Sequence, residues 1–407
     1  MSDDRFRRFG VLGGGVFFSI VGLAQPFFTL YAQELGASTL VIGLLVTLRA
    51  VLPIVIAMPC GQLIDSIGPM RMLGYGMVCL VVSLALTVAA SDILLLVPSQ
   101  LFLGASIIIC ASSLQVLVSR GDPATRNASI NRYSMWMSAG SVVGPLAGGA
   151  IVSLVGDSIV GHRAAFLAAT GVAAAFLAFL LVVARGYSPP AHDEGRPTAR
   201  EIFSVGGIVN SYRWGFGLTR HRSVQFGLTA TFIIMYIQAS YSSFLPLFMD
   251  HLGYSALMIS AALVAHGLAS MLSRIVLDGV MARLTLPQIL TVAGFVASLC
   301  LLLTPLAGEH AAAVLLVVSI MGAAVGLNLP VSLMIMVDAV GETERGKLMG
   351  LRLLVNRFAQ IVSPAMFGVV GNAFGLSAAL LGGGAFLIAT MCCFTVFIGR
   401  PDARPEA

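Results

Sequence analysis

The chain has 407 residues, 58% of them hydrophobic and only 10% charged, with a mean hydropathy of +0.96. A soluble domain carries about 25% charged residues, so a soluble globular fold is excluded. The net charge of +5 follows from how loops are charged across a membrane and does not point to a nucleic-acid partner.

Apolar runs close to the roughly 20 residues that a bilayer-spanning helix requires recur from end to end. Polar punctuation divides them into twelve predicted spans, 9–31, 39–60, 73–90, 93–117, 129–153, 164–184, 224–248, 256–277, 286–306, 311–337, 348–371 and 376–398. This predicts an all-α membrane protein. The first span follows "MSDDRFRRFG" without a small-residue cleavage site and is expected to be retained. If the N-terminus is cytoplasmic, the basic residues of the loops, among them Arg71, Arg120, Arg126, Arg185, Arg283, Arg345 and Lys347, fall inside. Only Arg163 falls on the other side. That asymmetry puts both termini in the cytoplasm, in a bacterial inner (plasma) membrane.

The expected layout is an N-terminal six-helix bundle (1–184), a cytoplasmic central loop (185–222), a C-terminal six-helix bundle (223–400) and a short cytoplasmic tail (401–407).

The second span contains "GLLVTLRAVLPIVIAMP" (43–59), and its Arg49 lies roughly 18 Å of helix from both Ala37 and Gly61. Arginine at a helix centre costs about 2.5–3.5 kcal/mol on insertion scales, so something must compensate. After this span comes the loop "GQLIDSIGPMRML" (61–73), and the fifth span contains "GSVVGPLAGG" (140–149). Glycines four apart let two helices approach closely, and a proline bends a span by removing one backbone hydrogen bond.

The two halves also align. "RNASINRYSMWMSAGSVVGPLAGGAIVSLVG" (126–156) matches "RGKLMGLRLLVNRFAQIVSPAMFGVVGNAFG" (345–375) without gaps, pairing Pro145 with Pro364 and Gly149 with Gly368. "ELGASTLVIG" (34–43) matches "HLGYSALMIS" (251–260). Repeated six-span halves are a transporter signature, because a substrate site can form where two repeats meet.

These motifs resemble those of the major facilitator superfamily. Gly61, Leu63, Asp65, Gly68 and Leu73 stand where its loop motif between helices two and three expects them. Gly140, Gly144, Pro145, Gly148 and Gly149 are similar to the fifth-helix motif of its drug and metabolite antiporters. The resemblance implies a secondary transporter working by alternating access. It implies a conformational latch at Gly61, Asp65, Gly68 and Arg71, with Asp278 as the repeat counterpart of Asp65. The sequence departs from the family at two places. Ser66, Pro69 and Met70 replace basic residues around Asp65, and Gln100 in "QLFLG" stands where the fourth-helix motif carries an arginine linked to proton movement.

In the second half, His266 is the only histidine predicted inside a span, and it is the repeat counterpart of Arg49. Imidazole titrates near neutral pH, which makes His266 the proton-coupling candidate, against the alternative of a hydrogen-bonded packing residue. On the eleventh span Arg352, Asn356, Arg357, Gln360 and Ser363 share one helical face. None of the 18 acidic residues falls in the central part of a span. Fixed positive charge inside the membrane without a matching carboxylate points to an anionic or carboxylate-bearing substrate. The alternative is that the arginines brace an interface. In the family, the second and eleventh helices would bring Arg49 and Arg357 to one side of a central cavity. Gln25, Gln115, Tyr236, Gln238, Tyr241 and Asn328 lie on the helices that the resemblance places around that cavity.

Export by antiport of a small organic solute is the leading expectation, with the proton as candidate coupling ion, no cofactor and a monomeric state. The alternative within transport is an importer, of a metabolite or of a soft ion such as Cu(I), given 18 methionines and membrane cysteines. A membrane enzyme would need clustered His, Asp and Glu, and the six histidines are dispersed. A transporter-like receptor usually carries a signalling domain, and none is present in this sequence. The six cysteines lie in or at the ends of spans, where small packing residues are expected.

Overall fold

The structure is a computed structural model that describes residues 2–119, 123–187, 217–340 and 345–397. The ends of the central loop at 185–187 and 217–222 are therefore described, while 188–216 and the tail lie outside. Among the described residues twelve helices are long and apolar enough to cross a membrane, and there is no strand. They are α1 (Ser2–Glu34), α2 (Thr39–Ile67), α3 (Pro69–Ala89), α4 (Leu96–Val118), α5 (Pro123–Val155) and α6 (Ile159–Ala184). The second half supplies α7 (Arg222–His251), α8 (Ala256–Ile275), α9 (Leu286–Ala307), α10 (Ala311–Asp338), α11 (Arg345–Phe374) and α12 (Leu376–Phe397). A five-residue helix, Leu277–Met281, follows α8. In lipid every backbone polar group must be satisfied within its own segment, and these apolar sequences satisfy it by helix.

Local chemistry sets the boundaries. Gly68 has φ +94°, a conformation open to glycine, and Pro69 then starts α3 where its missing N–H is no loss. Asp92 accepts from the backbone N–H groups of Leu94 and Leu95 ahead of α4. A capping box between Thr285 and Gln288 opens α9. Four of the five positive-φ glycines fall in repeat pairs: Gly36 with Gly253, and Gly156 with Gly375. The repeat therefore extends to turns as well as helices.

The chain divides into two compact units. One holds Met1–Ala37, Leu48–Ile208 and Ser255–Ser260; the other holds Ser38–Thr47, Val209–Tyr254 and Ala261–Ala407. In the first unit α1 and α5 form a close seam. Gly140, Gly144 and Gly148 lie against the backbone of Gly15, Ser19 and Leu23, and Pro145 lies against Gly22. A side chain at these glycines would meet main chain, which is why the motif consists of small residues. Gly149 faces the other way, toward Ser260 and the Ala256 carbonyl at the start of α8. In the second unit Gly43, near the start of α2, lies against Pro364 and Gly368 of α11. By the repeat, Gly43 corresponds to Ser260 and Gly368 to Gly149. The two contacts are therefore one contact made twice. Each unit takes in the first turns of a helix that continues in the other.

Candidate functional site

In the first unit Arg49 lines a narrow recess together with Gln25 of α1, Ser83 and Thr87 of α3, and Gln100 of α4. The walls between them are apolar, formed by Val21, Ala24, Phe28, Leu80, Leu84, Leu103 and Phe166, and the space has room for about one water molecule. Gly104 brings α4 against the main-chain carbonyl of Arg49 and against Pro53, and this contact sets Gln100 beside the guanidinium's helix. Ser83 donates to the Ser99 carbonyl at 2.8 Å, and Thr87 and Ser99 share a 2.6 Å hydrogen bond, so one polar wall is internally tied. The Oε1 of Gln100 is buried without a hydrogen-bond partner among the described residues. An arginine, two amides and an unfilled acceptor atom thus share one small space.

In the second unit the polar face of α11 is present as the helical wheel predicts. Arg357 donates through Nη1 to Gln360 Oε1 at 2.7 Å, while its Nε is buried without a partner among the described residues. Gln360 approaches the Met235 sulfur of α7 at 3.9 Å. Asn356 Oδ1 is also buried without a partner among the described residues. Arg352 reaches Ser332 of α10 at 3.4 Å, and Asn328, one turn earlier on α10, buries both amide atoms with no partner among the described residues. Buried polar groups ordinarily find a hydrogen-bond partner, so the open ones on this face call for an explanation.

His266 is buried and firmly placed. Its Nδ1 lies 3.2 Å from the Val318 carbonyl, and its ring stacks on Tyr241 with centroids 4.2 Å apart. Tyr241 donates to the Ala262 carbonyl at 2.7 Å. Gly322 of α10 packs on the His266 carbonyl, as Gly104 packs on that of Arg49. Tyr236 is fully buried among Phe232, Phe367 and Phe386, its carbonyl accepting from Ser363 at 2.9 Å.

The structure thus groups Arg49 with Gln25, Arg357 with Gln360, and Tyr241 with His266. Gln115 and Gln238 are exposed on α4 and α7 and join none of these groups. Gly61 sits within α2 and Arg71 is exposed on the first turn of α3. The side chains of Asp65 and Asp278 lie outside the described part. Gln100, Ser83 and Thr87 were missed as site residues by the sequence reading. The departure from the family at Gln100 was the one signal pointing to that corner of the bundle. Among the described residues no group of three or more His, Cys, Asp or Glu could hold a metal ion.

The profile of the Major Facilitator Superfamily matches residues 10–326. No curated protein matches the chain. Among solved structures it is similar to a POT family transporter in complex with a thioalcohol-conjugated peptide, at 15% identity and a TM-score of 0.77, covering 97% of each chain. It is similar to the nucleoside transporter NupG at 12% identity and a TM-score of 0.76, covering 97% of this chain and 100% of that one. It is also similar to a bacterial homolog of the human lysosomal transporter Spinster, at 15% identity and a TM-score of 0.72, covering 97% and 95%. At such identities the likeness extends to the fold alone.

Proposed function

The chain belongs to the major facilitator superfamily, a family of multi-pass membrane transporters, and we propose that it exports a small organic solute bearing a carboxylate or similar anionic group. Three observations support the proposal. Arg49 lines a recess with Gln25 and Gln100, Arg357 keeps a buried Nε open, and no acidic residue occupies the central part of any span. A guanidinium presents a planar fork that matches a carboxylate, and amide groups beside it supply further donors. Gln25, Gln100, Asn328, Asn356 and Gln360 are the polar partners of the two arginines in this reading, with Tyr236, Tyr241, Gln115 and Gln238 as outer members.

The transport cycle alternates access by rocking of residues 1–184 against 223–400, tethered by 185–222. Asp65, within the Gly61–Arg71 loop motif, and Asp278 hold one conformation. The basic loops and both termini face the cytoplasm of a bacterial inner membrane. The coupling ion is the proton. With Nδ1 of His266 committed to Val318, its Nε2 is the atom that takes a proton inside the span. The close α1–α5 seam at Gly140, Gly144, Pro145 and Gly148 supports assignment to the antiporter branch.

A thermal-shift screen of the purified protein against anionic, neutral and cationic solutes tests the substrate class. Stabilisation confined to anionic solutes is expected. A best ligand that is cationic overturns it.

A further inference from the structure

His162 is one of the six histidines dispersed along the sequence. The structure puts it in a charged pocket at the end of the first unit where α1 finishes. His162 lies on the first turn of α6 with its side chain only 4% exposed. Its Nδ1 lies 2.9 Å from Glu34 Oε2, at the last residue of α1. Its Nε2 lies 3.8 Å from Asp157 Oδ1, in the connection between α5 and α6, and is buried without a hydrogen-bond partner. Phe27 of α1 stacks on the ring at 5.7 Å and closes that side. The neighbouring cation, Arg163, is turned to Tyr31 and the Ala90 carbonyl, at 2.9 and 2.8 Å.

Both ring nitrogens therefore face carboxylates. A neutral imidazole donates through Nδ1 to Glu34 and leaves a buried lone pair on Nε2 opposite an Asp157 oxygen. A proton on Nε2 replaces that repulsion with a charge-assisted donor. Asp157 has a second task. Its Oδ2 accepts from the backbone N–H of Ala256 at 2.9 Å, the first residue of α8. A carboxylate there suits the positive end of a helix. The first turns of α8 belong to the first unit, and from Ala261 the helix continues in the second.

We propose that His162 is a proton-binding site whose occupancy fixes the start of α8 through Asp157. Hydronium gives its proton to the Nε2 lone pair and leaves as water, so one O–H bond breaks as the N–H bond forms. The charged ring orients Asp157 between its own Nε2–H and the Ala256 N–H. The neutral ring turns Asp157 away and frees that amide. This site is distinct from His266 and independent of the substrate class, so its failure leaves the substrate reading standing.

Hydrogen exchange at the amides of Ala256–Met258, measured on the full chain in lipid nanodiscs, reads the site directly. Between about pH 8 and 5, after correction for the intrinsic rate, exchange in the parent is expected to slow on the order of tenfold. His162→Gln keeps a donor for Glu34 but cannot charge, and its corrected rate is expected to stay flat. Asp157→Asn keeps an acceptor for Ala256 and is also expected to stay flat. A parent that shows no pH dependence overturns the proposal, and so does an undiminished dependence in either variant. If His162→Gln does not fold, the parent and Asp157→Asn decide the matter.

Discussion

Arg49 and His266 stand at equivalent positions in the two halves, and their backbones are treated alike. A glycine from the next-but-one helix, Gly104 for one and Gly322 for the other, presses against the carbonyl of each. Four residues before those glycines the halves part. Gln100 stands beside the recess of Arg49, whereas Val318 offers His266 only its carbonyl. One half keeps an open polar pocket and the other closes the same place with a stacked tyrosine. The helix crossing, where main chain meets main chain, is the same in both halves, while the side chains around it differ.

The strongest way to break this comparison is to fill the shared crossing. Gly104→Leu and Gly322→Leu should both fail to give folded protein, because the added side chain meets a carbonyl that cannot move alone. Overpacking costs about 1–3 kcal/mol even where side chains can yield. Normal yield and melting for one variant but not the other would show that the crossings are not equivalent. A smaller effect separates the halves at their loops. Asp65→Asn should lower transport in proteoliposomes at least severalfold while sparing binding, and Asp278→Asn, outside the full motif, should lower it less. Equal transport by Asp65→Asn and parent would remove the latch role.

Two single-residue changes sharpen the contrast further. Arg357→Gln should weaken binding of an anionic solute severalfold, because Gln360 then loses its 2.7 Å donor and the site loses a charge. The smallest effect is expected at His266. His266→Gln keeps a donor for Val318 but loses the ring stacked on Tyr241, at a cost of about 1 kcal/mol in thermal melting. The same variant should flatten the pH profile of transport while leaving substrate affinity unchanged. A retained profile would reduce His266 to a packing residue.

Much of the fold was legible in the sequence because a membrane imposes a coarse rule. Runs of about 20 apolar residues become helices, and the twelve spans fall where composition placed them. The close α1–α5 seam was also legible, since only small residues allow such contact and "GSVVGPLAGG" supplies them in register. Arg49 was visible because an arginine mid-span is costly enough to demand a reason. What stayed hidden depends on which way a side chain faces. On helices apolar on nearly all sides, periodicity cannot tell a buried face from an open one, so the exposure of Gln115 and Gln238 could not be read from the sequence. Gln100, Ser83 and Thr87 meet Arg49 only through tertiary packing. Glu34, Asp157 and His162 read as ordinary residues at span ends, and only the folded chain gathers them.

In the proposed function, the Arg49 half holds the anionic group of the substrate. The most direct measurement is a binding titration of the best anionic solute against the parent, Arg49→Lys and Arg49→Gln, each with its melting curve. Loss of a charge-assisted hydrogen bond predicts affinity lower by about tenfold or more in Arg49→Gln, with melting little changed. Arg49→Lys should fall between, since it keeps the charge and loses the fork. Unchanged affinity in Arg49→Gln, accompanied by lower melting, would contradict the account and make Arg49 a brace.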